Sequence, residues 1–418
     1  MATINGREKL EILQWIESEK HNLIHFLREL VAVPSDNPPG DCYAIAEHIR
    51  KRLHDFQFED VALLEVEPEE VREKGMVRVA NVVAKTIFGI GKGPEIVLNA
   101  HGDVVAPGLG WTYDPYGGQI VDGKLYGRGA AVSKSDIASY TFAVMAIRQV
   151  AEKLSGKATL AFNFDEEIGG EMGPKWMIEK GYIQPDMAIS AGFTHSIVNS
   201  HSGCLHLEIR IKGKSAHAAA PHSGHDAIEA MSGVLQALYD YRRTLDQKRS
   251  SIPGIESPTL VVGLISGGIN TNVVPDQCTI RIDRRLIPEE DGEQVEMEIR
   301  ELVEQVVNRY EGTWAEFERI LLAKSFKPTP IESPFIQTLM ANCKEILDSE
   351  PVIHGIPLYT DARHFAEAGI PVVLFGAGPR TLLEANGHRA DEHVRIEDLI
   401  KATKIVALTL YDLLRTDK

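Results

Sequence analysis

The chain contains 418 residues, of which 44% are hydrophobic and 25% are charged, and it carries a formal net charge of -16. These values predict a soluble globular protein with two domains or one elaborate domain. The acidic balance argues against nucleic acid or an anionic membrane surface as a partner. No apolar run approaches the roughly 20 residues that a membrane-spanning helix needs.

The four cysteines are scattered without paired spacing, which argues against a disulfide framework or a thiolate zinc site. Free buried thiols in a reducing compartment are the better interpretation of Cys42, Cys204, Cys278 and Cys343. The N-terminal segment is charged and amphipathic and lacks the apolar core of a signal peptide. We therefore expect a cytoplasmic protein.

Strands and helices alternate in the first half of the chain. Apolar residues at helical spacing predict a helix over 8–33, ended by Pro34, and a second helix over 43–55. The runs MVRVANVVAKTIFG, EIVLNAH, ATLAFNF and DMAIS predict strands. Helices are predicted over 136–153, after a glycine-rich loop, and over MGPKWMIEKG, which ends at Gly181. This alternation predicts an α/β fold with an open, mostly parallel sheet flanked by helices.

The pattern changes at about Ser202. LHLEIRIKG alternates apolar and polar residues with period two, as in a half-exposed antiparallel strand. A helix (224–247), the strands TLVVGLISGG and QCTIRIDRRLI, a helix (290–312) and the strand WAEFERILLA follow. This order is typical of a ferredoxin-like α+β domain. We expect it to be inserted over 202–323 into a catalytic domain formed by 1–201 and 324–418.

Acidic and imidazole side chains follow two of the predicted parallel strands. His101 and Asp103 come after EIVLNA, and Asp165, Glu166 and Glu167 come after ATLAFNF. Ligands of such sheets bind at the carboxyl ends of the strands. The histidine could therefore bind a metal, and the acids could divide between metal binding and general-base catalysis. A polar surface turn and a solvated acidic loop are the alternative interpretations.

Four further candidates lie later in the chain. His217 follows a strand and stands among small residues that leave room for a substrate. Arg285 could bind a carboxylate through its forked guanidinium group. Asn272 lies in the same inserted domain, and His388 precedes the final helix. A packed loop histidine, a surface ion pair and polar residues at a helix start are the alternatives.

The order of these motifs resembles one family of metallohydrolases. HGDVV, GRGAAVSKSD, FNFDEEIGG, KGKSAHAAAP and GHRADEH are similar to the skeleton of the peptidase clan MH family. That family contains aminoacylase, carboxypeptidase G, acetylornithine deacetylase and succinyl-diaminopimelate desuccinylase. The resemblance covers residues 20–412, including the inserted domain. WTYDPYGGQIVDGKLYGRGA and TDARHFAEAGIPVVLFGAG also match the family's loop and later strand region.

The resemblance implies a role for each candidate in the catalytic domain. His101 would ligate one metal, and Asp103 would orient it. Glu166 would be the general base that activates water. Glu167 and His388 would ligate the other metal. The metals of this family are zinc, cobalt or manganese, and its members hydrolyse amide-type C–N bonds in small N-acyl amino acids or peptides.

The resemblance also implies roles for the inserted domain. That domain would serve as a lid and as the interface of a homodimer. His217, contributed across this interface, would stabilise the oxyanion with help from Asn272. Arg285 would anchor the carboxylate of a small-molecule substrate.

The chain departs from the family at two metal ligands. Val132 stands where the family has its bridging aspartate, and Gly192 stands where a further glutamate or aspartate is expected. Two unit charges 4 Å apart interact by about 4 kcal/mol at an effective dielectric of 20, and two dications repel roughly four times as strongly. A bridging carboxylate normally offsets much of this repulsion, and valine cannot do so.

We therefore predict one divalent transition metal in the active site instead of two. Its candidate ligands are His101, Glu167 and His388. His195 and Asp136 are possible replacements for the missing carboxylates.

Three functions remain open at this point. The first is a metal-dependent hydrolase that cleaves an amide-type C–N bond with one metal and a general base. The second is a hydrolytic deaminase of an aromatic amine that carries a carboxylate, as in nitroanthranilate-type aminohydrolases. The third is a non-catalytic relative that keeps the fold for binding, against which the retained acids, His217 and Arg285 argue.

Overall fold

The computed structural model describes residues 6–381 and 383–416. The interpretation of the N-terminal segment as free of a signal peptide rests partly on residues 1–5, which lie outside the described residues. Among the described residues, none of the helices combines the length and the apolar composition needed to cross a membrane.

The helices follow the apolar periodicity of the sequence. The first one buries Ile12, Ile16, Phe26 and Leu30 along one face and ends where Val33 adopts an extended backbone before Pro34. The α-helices are α1 (Arg7–Ala32), α2 (Tyr43–Asp55), α3 (Pro68–Glu73), α4 (Lys134–Ile147), α5 (Trp176–Glu179), α6 (Ala227–Leu245), α7 (Gly292–Val307), α8 (Pro334–Leu347), α9 (Ala362–Glu367) and α10 (Ile396–Leu414).

The strands include the β-branched runs of the sequence and several shorter segments. They are β1 (Asp60–Glu65), β2 (Ala80–Phe88), β3 (Glu95–His101), β4 (Gln119–Val121), β5 (Lys124–Tyr126), β6 (Gly156–Asn163), β7 (Met187–Ser190), β8 (Ser196–His201), β9 (Gly203–Lys212), β10 (Ala216–His217), β11 (Thr259–Gly267), β12 (Val273–Val274), β13 (Gln277–Leu286), β14 (Trp314–Ala323), β15 (Val352–Ile356), β16 (Val372–Leu374) and β17 (His393–Arg395).

The chain divides into two compact units. The first unit contains the chain up to Asn199, Pro328–Ile353 and the chain from Thr360 onward. The second unit contains Ser200–Lys327 and also His354–Tyr359, a short segment that the sequence analysis did not separate from its neighbours.

The large sheet has the strand order β1-β2-β6-β3-β7-β16-β8-β15. Its central pairs, β6 with β3, β3 with β7 and β7 with β16, are parallel, whereas β1, β2 and β8 pair antiparallel with their neighbours. The central strand β3 is buried along its whole length, as expected for a parallel strand covered on both faces. The prediction of a mostly parallel α/β sheet flanked by helices is confirmed.

The second unit contains a four-stranded antiparallel sheet in the order β11-β13-β9-β14. Side chains from alternate positions of β9 and β13, such as Leu205, Leu207 and Ile280, pack with apolar residues of α6 and α7 in one core. Strand order and helix positions are those of the predicted ferredoxin-like domain.

β1 and β8 are among the strands of the large sheet that were not individually predicted. β1 is half-buried at the sheet edge and shows no clear alternation. β8 is fully buried, but the polar residues Asn199, Ser200 and His201 interrupt its apolar pattern. Asn199 donates to the backbone oxygen of Thr329 (3.1 Å) and Ser200 to that of Phe326 (2.7 Å), so these buried polar groups are satisfied.

Candidate metal centre

Two parallel strands bring the candidate residues of the first unit to one edge of the sheet. His101, at the end of β3, is the register partner of Asn163, at the end of β6. The chain after β6 forms a single 3₁₀ turn over Glu166–Ile168. The carboxylates of this turn therefore lie beside the imidazole of His101, where ligand sites of such sheets are found.

Asp103 holds this turn against the end of β3. Its buried carboxylate accepts hydrogen bonds from the backbone N–H groups of Glu166 (3.3 Å) and Glu167 (3.1 Å) and from the amide of Asn37 (2.9 Å). The Nδ1 atom of His101 lies 3.0 Å from the backbone oxygen of Asp103 and 3.4 Å from its Oδ1. Asp103 thus orients the imidazole ring, and Nε2 lies 4.0 Å from Oε2 of Glu166.

Three side chains face one another closely enough to share a metal ion. One ligand atom each from His101, Glu166 and Glu167 lies within 4.8 Å of the others. Nε2 of His388 lies 3.2 Å from Oε1 of Glu167. That buried oxygen nevertheless accepts no hydrogen bond of good geometry from the described residues. Imidazole nitrogens and carboxylate oxygens are ligands of zinc and related metals, so this donor set fits one such ion.

Several buried carboxyl groups lie close together around these ligands, and their pKa values are shifted. Burial raises the pKa of Glu166 and of Asp165 to about 7, and burial, with the neighbouring carboxylates, raises the pKa of Asp361 well above its usual value. Burial alone would lower the pKa of His101, but Glu166 and the other carboxylates around it raise that pKa well above 6.5. Buried carboxylates ionise at lower cost when a positive charge lies among them, and a bound dication supplies that charge.

A second layer of polar groups supports the acidic turn. The amide of Asn163 donates to Asp361 Oδ2 at 2.7 Å, and the backbone N–H of Met172 donates to Asp165 Oδ2 at 2.6 Å. The sequence analysis assigned no role to Asp361, although the motif TDARHF had been singled out. The network fixes the base of the turn that carries Glu166 and Glu167.

The loop that carries Val132 is held by another buried carboxylate. Glu392 accepts hydrogen bonds from the backbone N–H groups of Ala131 (3.0 Å) and Val132 (3.1 Å) and pairs with the guanidinium of Arg128 (2.5 Å). Both carboxylate oxygens of Glu392 therefore already have partners in this loop. Glu392 is thus a structural residue near His388 in the sequence, and it does not supply the carboxylate that Val132 lacks.

Gly192 lies where no side chain fits. A Cβ atom built on it would stand 2.6 Å from the backbone nitrogen of Phe375 and 2.7 Å from the carbonyl carbon of Leu374. Its N–H group donates to the buried carboxylate of Asp136, which also accepts from the backbone of Ala377 at 2.6 Å. The backbone around Gly192 therefore occupies the space that an acidic side chain at this position would need.

The two possible replacement ligands have other partners. Asp136 is bound to the backbone groups of Gly192 and Ala377. Nε2 of His195 lies 2.8 Å from Oδ1 of Asp398. In the described part of the chain, neither residue belongs to the group of ligand atoms that includes His101 and Glu167. The geometry thus leaves His101, Glu166, Glu167 and His388 as the candidate side chains for metal binding and water activation.

The other three predicted residues belong to the second unit. His217 is exposed on β10, and its Nδ1 accepts a hydrogen bond from the backbone N–H of Ala219 at 3.0 Å. Asn272 is also exposed, and its backbone oxygen accepts from Ala218 at 2.9 Å, so the two side chains stand on neighbouring segments. Arg285 is partly buried and donates through Nε (3.0 Å) and Nη2 (3.2 Å) to Asp283. Their roles in oxyanion and substrate binding stay predictions.

Comparison with known proteins agrees with this geometry. Residues 97–412 match the model of Peptidase family M20/M25/M40. The chain is 29% identical over 350 residues to succinyl-diaminopimelate desuccinylase of Gluconacetobacter diazotrophicus, covering 81% of this chain and 85% of that protein.

Two solved structures share the fold. An M20 family metallo-carboxypeptidase from Sulfolobus solfataricus superposes with a TM-score of 0.72 at 20% identity, covering 95% of this chain and 99% of the other. A dinuclear metal-binding peptidase of the M20 family from Bacillus subtilis has a TM-score of 0.68 at 18% identity, with 95% and 99% covered. The match to the family model over most of the chain shows that this protein belongs to peptidase family M20/M25/M40.

Proposed function

We propose that the protein is a metal-dependent hydrolase that cleaves an amide-type C–N bond in a small substrate carrying a carboxylate, with one metal ion in its catalytic centre. The observation that carries this proposal is the pairing of Glu166 with the ligand set of His101, Glu167 and His388 at one edge of the sheet. Gly192 and Val132 argue for a single ion, since neither position supplies a carboxylate.

His101, Glu167 and His388 would hold the ion. When bound, zinc, manganese or cobalt would supply a Lewis acid that polarises the scissile carbonyl and lowers the pKa of water. The side chain of Glu166 is 17% exposed, which leaves its carboxylate accessible to a water molecule. In the protein without a metal, burial raises the pKa of Glu166 to about 7, so this carboxyl group can exchange a proton near neutral pH.

Glu166 would take a proton from the attacking water and then pass it to the leaving nitrogen. In this step the O–H bond of water breaks, a C–O bond forms at the carbonyl carbon and the C–N bond breaks afterwards. Asp103 would keep the imidazole of His101 in place through the contacts described above. In the second unit, His217 and Asn272 would stabilise the oxyanion. Arg285, whose Nε and Nη2 already donate to Asp283, would bind the substrate carboxylate through its remaining N–H groups.

We also propose a homodimer formed through the second unit. β11 is an edge strand whose sequence, TLVVGLISG, carries no charge, and Val261, Leu264 and Ile265 on it are more than half exposed. The opposite edge strand, β14, is instead protected by Glu316, Glu318 and Arg319. An uncharged apolar edge favours pairing with a second chain. Association of this kind would bring His217 from one protomer towards its partner.

Hydrolytic deamination of an aromatic amino-carboxylate is the second candidate. The loss of two family ligands favours it, because a changed metal site suits a changed reaction. A panel that includes N-acyl amino acids, dipeptides and anthranilate-like amines separates the two. Release of the amine from the acyl compounds supports amide hydrolysis, and release of ammonia from the aromatic amines supports deamination.

The role of Glu166 is tested with Glu166→Gln in the zinc- or manganese-loaded enzyme. We expect kcat to fall by at least about 100-fold, since general-base catalysis contributes 10²–10⁴-fold, while the metal content stays unchanged. The matched control is Glu171→Gln, an acid in the next turn that pairs with Lys74 at the surface. A Glu166→Gln enzyme with wild-type turnover would overturn the assignment.

A further inference from the structure

A second group of metal-binding side chains lies wholly within the second unit. One ligand atom each from Cys204, His206 and Asp283 lies within 4.8 Å of the others. Cys204 is fully buried, while the side chains of His206 and Asp283 are 34% and 31% exposed. None of these residues serves in the hydrolase chemistry proposed above.

The register of the sheet brings the three side chains together. Cys204 and His206 are two residues apart on β9, so both project from the same face of the sheet. Asp283 on the neighbouring strand β13 is the register partner of His206. The opposite face is the apolar one, where Leu205 and Leu207 pack against the helices. The group therefore lies on the face that the core does not cover.

Farther along β9 and β13 the same face carries ordinary ion pairs. Glu208 pairs with Arg281 at 2.8 Å, and Arg210 lies 3.5 Å from Glu316. Only toward the Cys204 end does the face present a thiol and an imidazole beside a carboxylate. This donor set is chemically different from the charged pairs on the rest of the face.

The distance between the imidazole and the carboxylate is close to that of a tetrahedral site. Nε2 of His206 lies 3.0 Å from Oδ2 of Asp283. Nitrogen and oxygen ligands bound to zinc at their usual lengths stand about 3.4 Å apart, and a thiolate stands about 3.6 Å from either. The ligand atom of Cys204 lies within 4.8 Å of both, so a coordination shell would form by rotation of the three side chains toward a common ion.

Arg285 provides the outer support that such sites usually have. Its Nε donates to Oδ1 of Asp283 at 3.0 Å and its Nη2 donates to Oδ2 at 3.2 Å, while Oδ2 also lies 3.0 Å from Nε2 of His206. Ligating carboxylates are commonly held in this way by a hydrogen-bond donor behind them. The positive charge of Arg285 also offsets part of the charge of the carboxylate and thiolate.

We propose that Cys204, His206 and Asp283 form a binding site for a thiophilic divalent transition metal such as zinc or cobalt. A thiolate with an imidazole selects such ions over magnesium and calcium. The described residues supply three ligands, as in zinc sites that keep one coordination position open. Because the thiolate is the form that binds metal, binding would displace the thiol proton of Cys204 to solvent.

The test is a titration of the full-length, chelator-treated protein with Co²⁺, followed by absorption spectroscopy. A thiolate ligand gives a sulfur-to-cobalt charge-transfer band in the near ultraviolet, which the His and carboxylate ligands of the first unit cannot give. In the wild type, at saturating Co²⁺, we expect this band to have the intensity of one cobalt–thiolate site per chain. We expect its loss in Cys204→Ser and at least a tenfold weaker cobalt affinity in His206→Ala.

Cys278→Ser is the matched control, because Cys278 is a buried thiol of the same sheet that faces the apolar core. It should keep the band unchanged. Absence of the band at saturating Co²⁺, or its persistence in a folded Cys204→Ser protein, would overturn the proposal. If Cys204→Ser does not fold, the proposal is tested with His206→Ala, whose partly exposed position tolerates the change. An unchanged cobalt affinity in that variant would overturn the proposal. The charge-transfer band does not depend on turnover. Failure of this test can therefore be distinguished from failure of the proposed hydrolase function.

Discussion

The backbone packing around Gly192 leaves no room for a metal-binding side chain at this position. The position cannot regain a carboxylate by substitution alone, because the chain at Leu374 and Phe375 already fills the space next to its Cα. Val132 differs, since its backbone is held by Glu392 and its side chain is only partly buried. The single-metal account therefore rests more firmly on Gly192 than on Val132.

This packing predicts a stability difference between two glycine variants. Gly192→Ala should destabilise the protein by about 1–3 kcal/mol, because overpacking against backbone forces a local shift. Gly263→Ala on β11 is the control, since a Cβ there meets no atom within 4 Å. Thermal unfolding of both variants followed by calorimetry measures the difference. Equal melting temperatures for the two variants would mean that Gly192 has room for a side chain.

Asp136 predicts a pH dependence of stability. Burial raises its pKa to about 7 in the folded protein, whereas in the unfolded chain the group titrates near 3.8. The folded state thus binds more protons between these values, and stability falls as the pH rises from about 4 to 7, by on the order of 2–4 kcal/mol. In metal-free protein, Asp136→Asn should reduce the loss of melting temperature between pH 5 and pH 8. An unchanged pH profile would show that Asp136 ionises freely.

Strand ends explain how much of the site the sequence could predict. His101 and the acids at 165–167 each followed a recognisable strand, and parallel strand ends meet at one edge of the sheet. Asp361 gave no such signal, because its link to Asp165 passes through Asn163, 198 residues away in the chain. The partners of Asp136 and His195 are equally remote, so sequence spacing alone could not show that these residues point elsewhere.

In the second unit too, the sequence predicted the strands but not which side chains meet across them. Period-two alternation identified β9 and its exposed face correctly. The position of Cys204 and His206 on that face follows from the alternation. The proximity of Asp283 depends on the register between β9 and β13, which the sequence did not specify. The scattered cysteines had argued against a thiolate site because no second cysteine stood near Cys204.

The edge strand β11 predicts the oligomeric state. Ile265→Lys places a charge on the apolar edge and should convert the proposed dimer into a monomer, because lysine protects edge strands from pairing. Ile90→Lys is the control, since Ile90 is 80% exposed in the first unit. Analytical ultracentrifugation measures the mass of each variant. A wild-type protein that sediments as a monomer, or an Ile265→Lys protein that stays dimeric, would contradict the interface.

At the scale of the whole molecule, the fold of family M20/M25/M40 is retained over most of the chain, and we propose that its catalytic centre holds one ion. Glu166 as the proposed general base, Asp103 beside His101 and the acidic turn lie at one edge of the sheet. In the proposed function this water-activating arrangement works with a single ion, and the number of ions in the first unit is the central claim.

Elemental analysis of Cys204→Ser protein, saturated with zinc and freed of excess by gel filtration, tests that claim most directly. Removing the thiolate excludes the proposed site of the second unit from the count. We predict one zinc ion per chain, lost in the additional variant Glu167→Ala. Two tightly bound zinc ions per chain in the Cys204→Ser protein would contradict the single-metal centre.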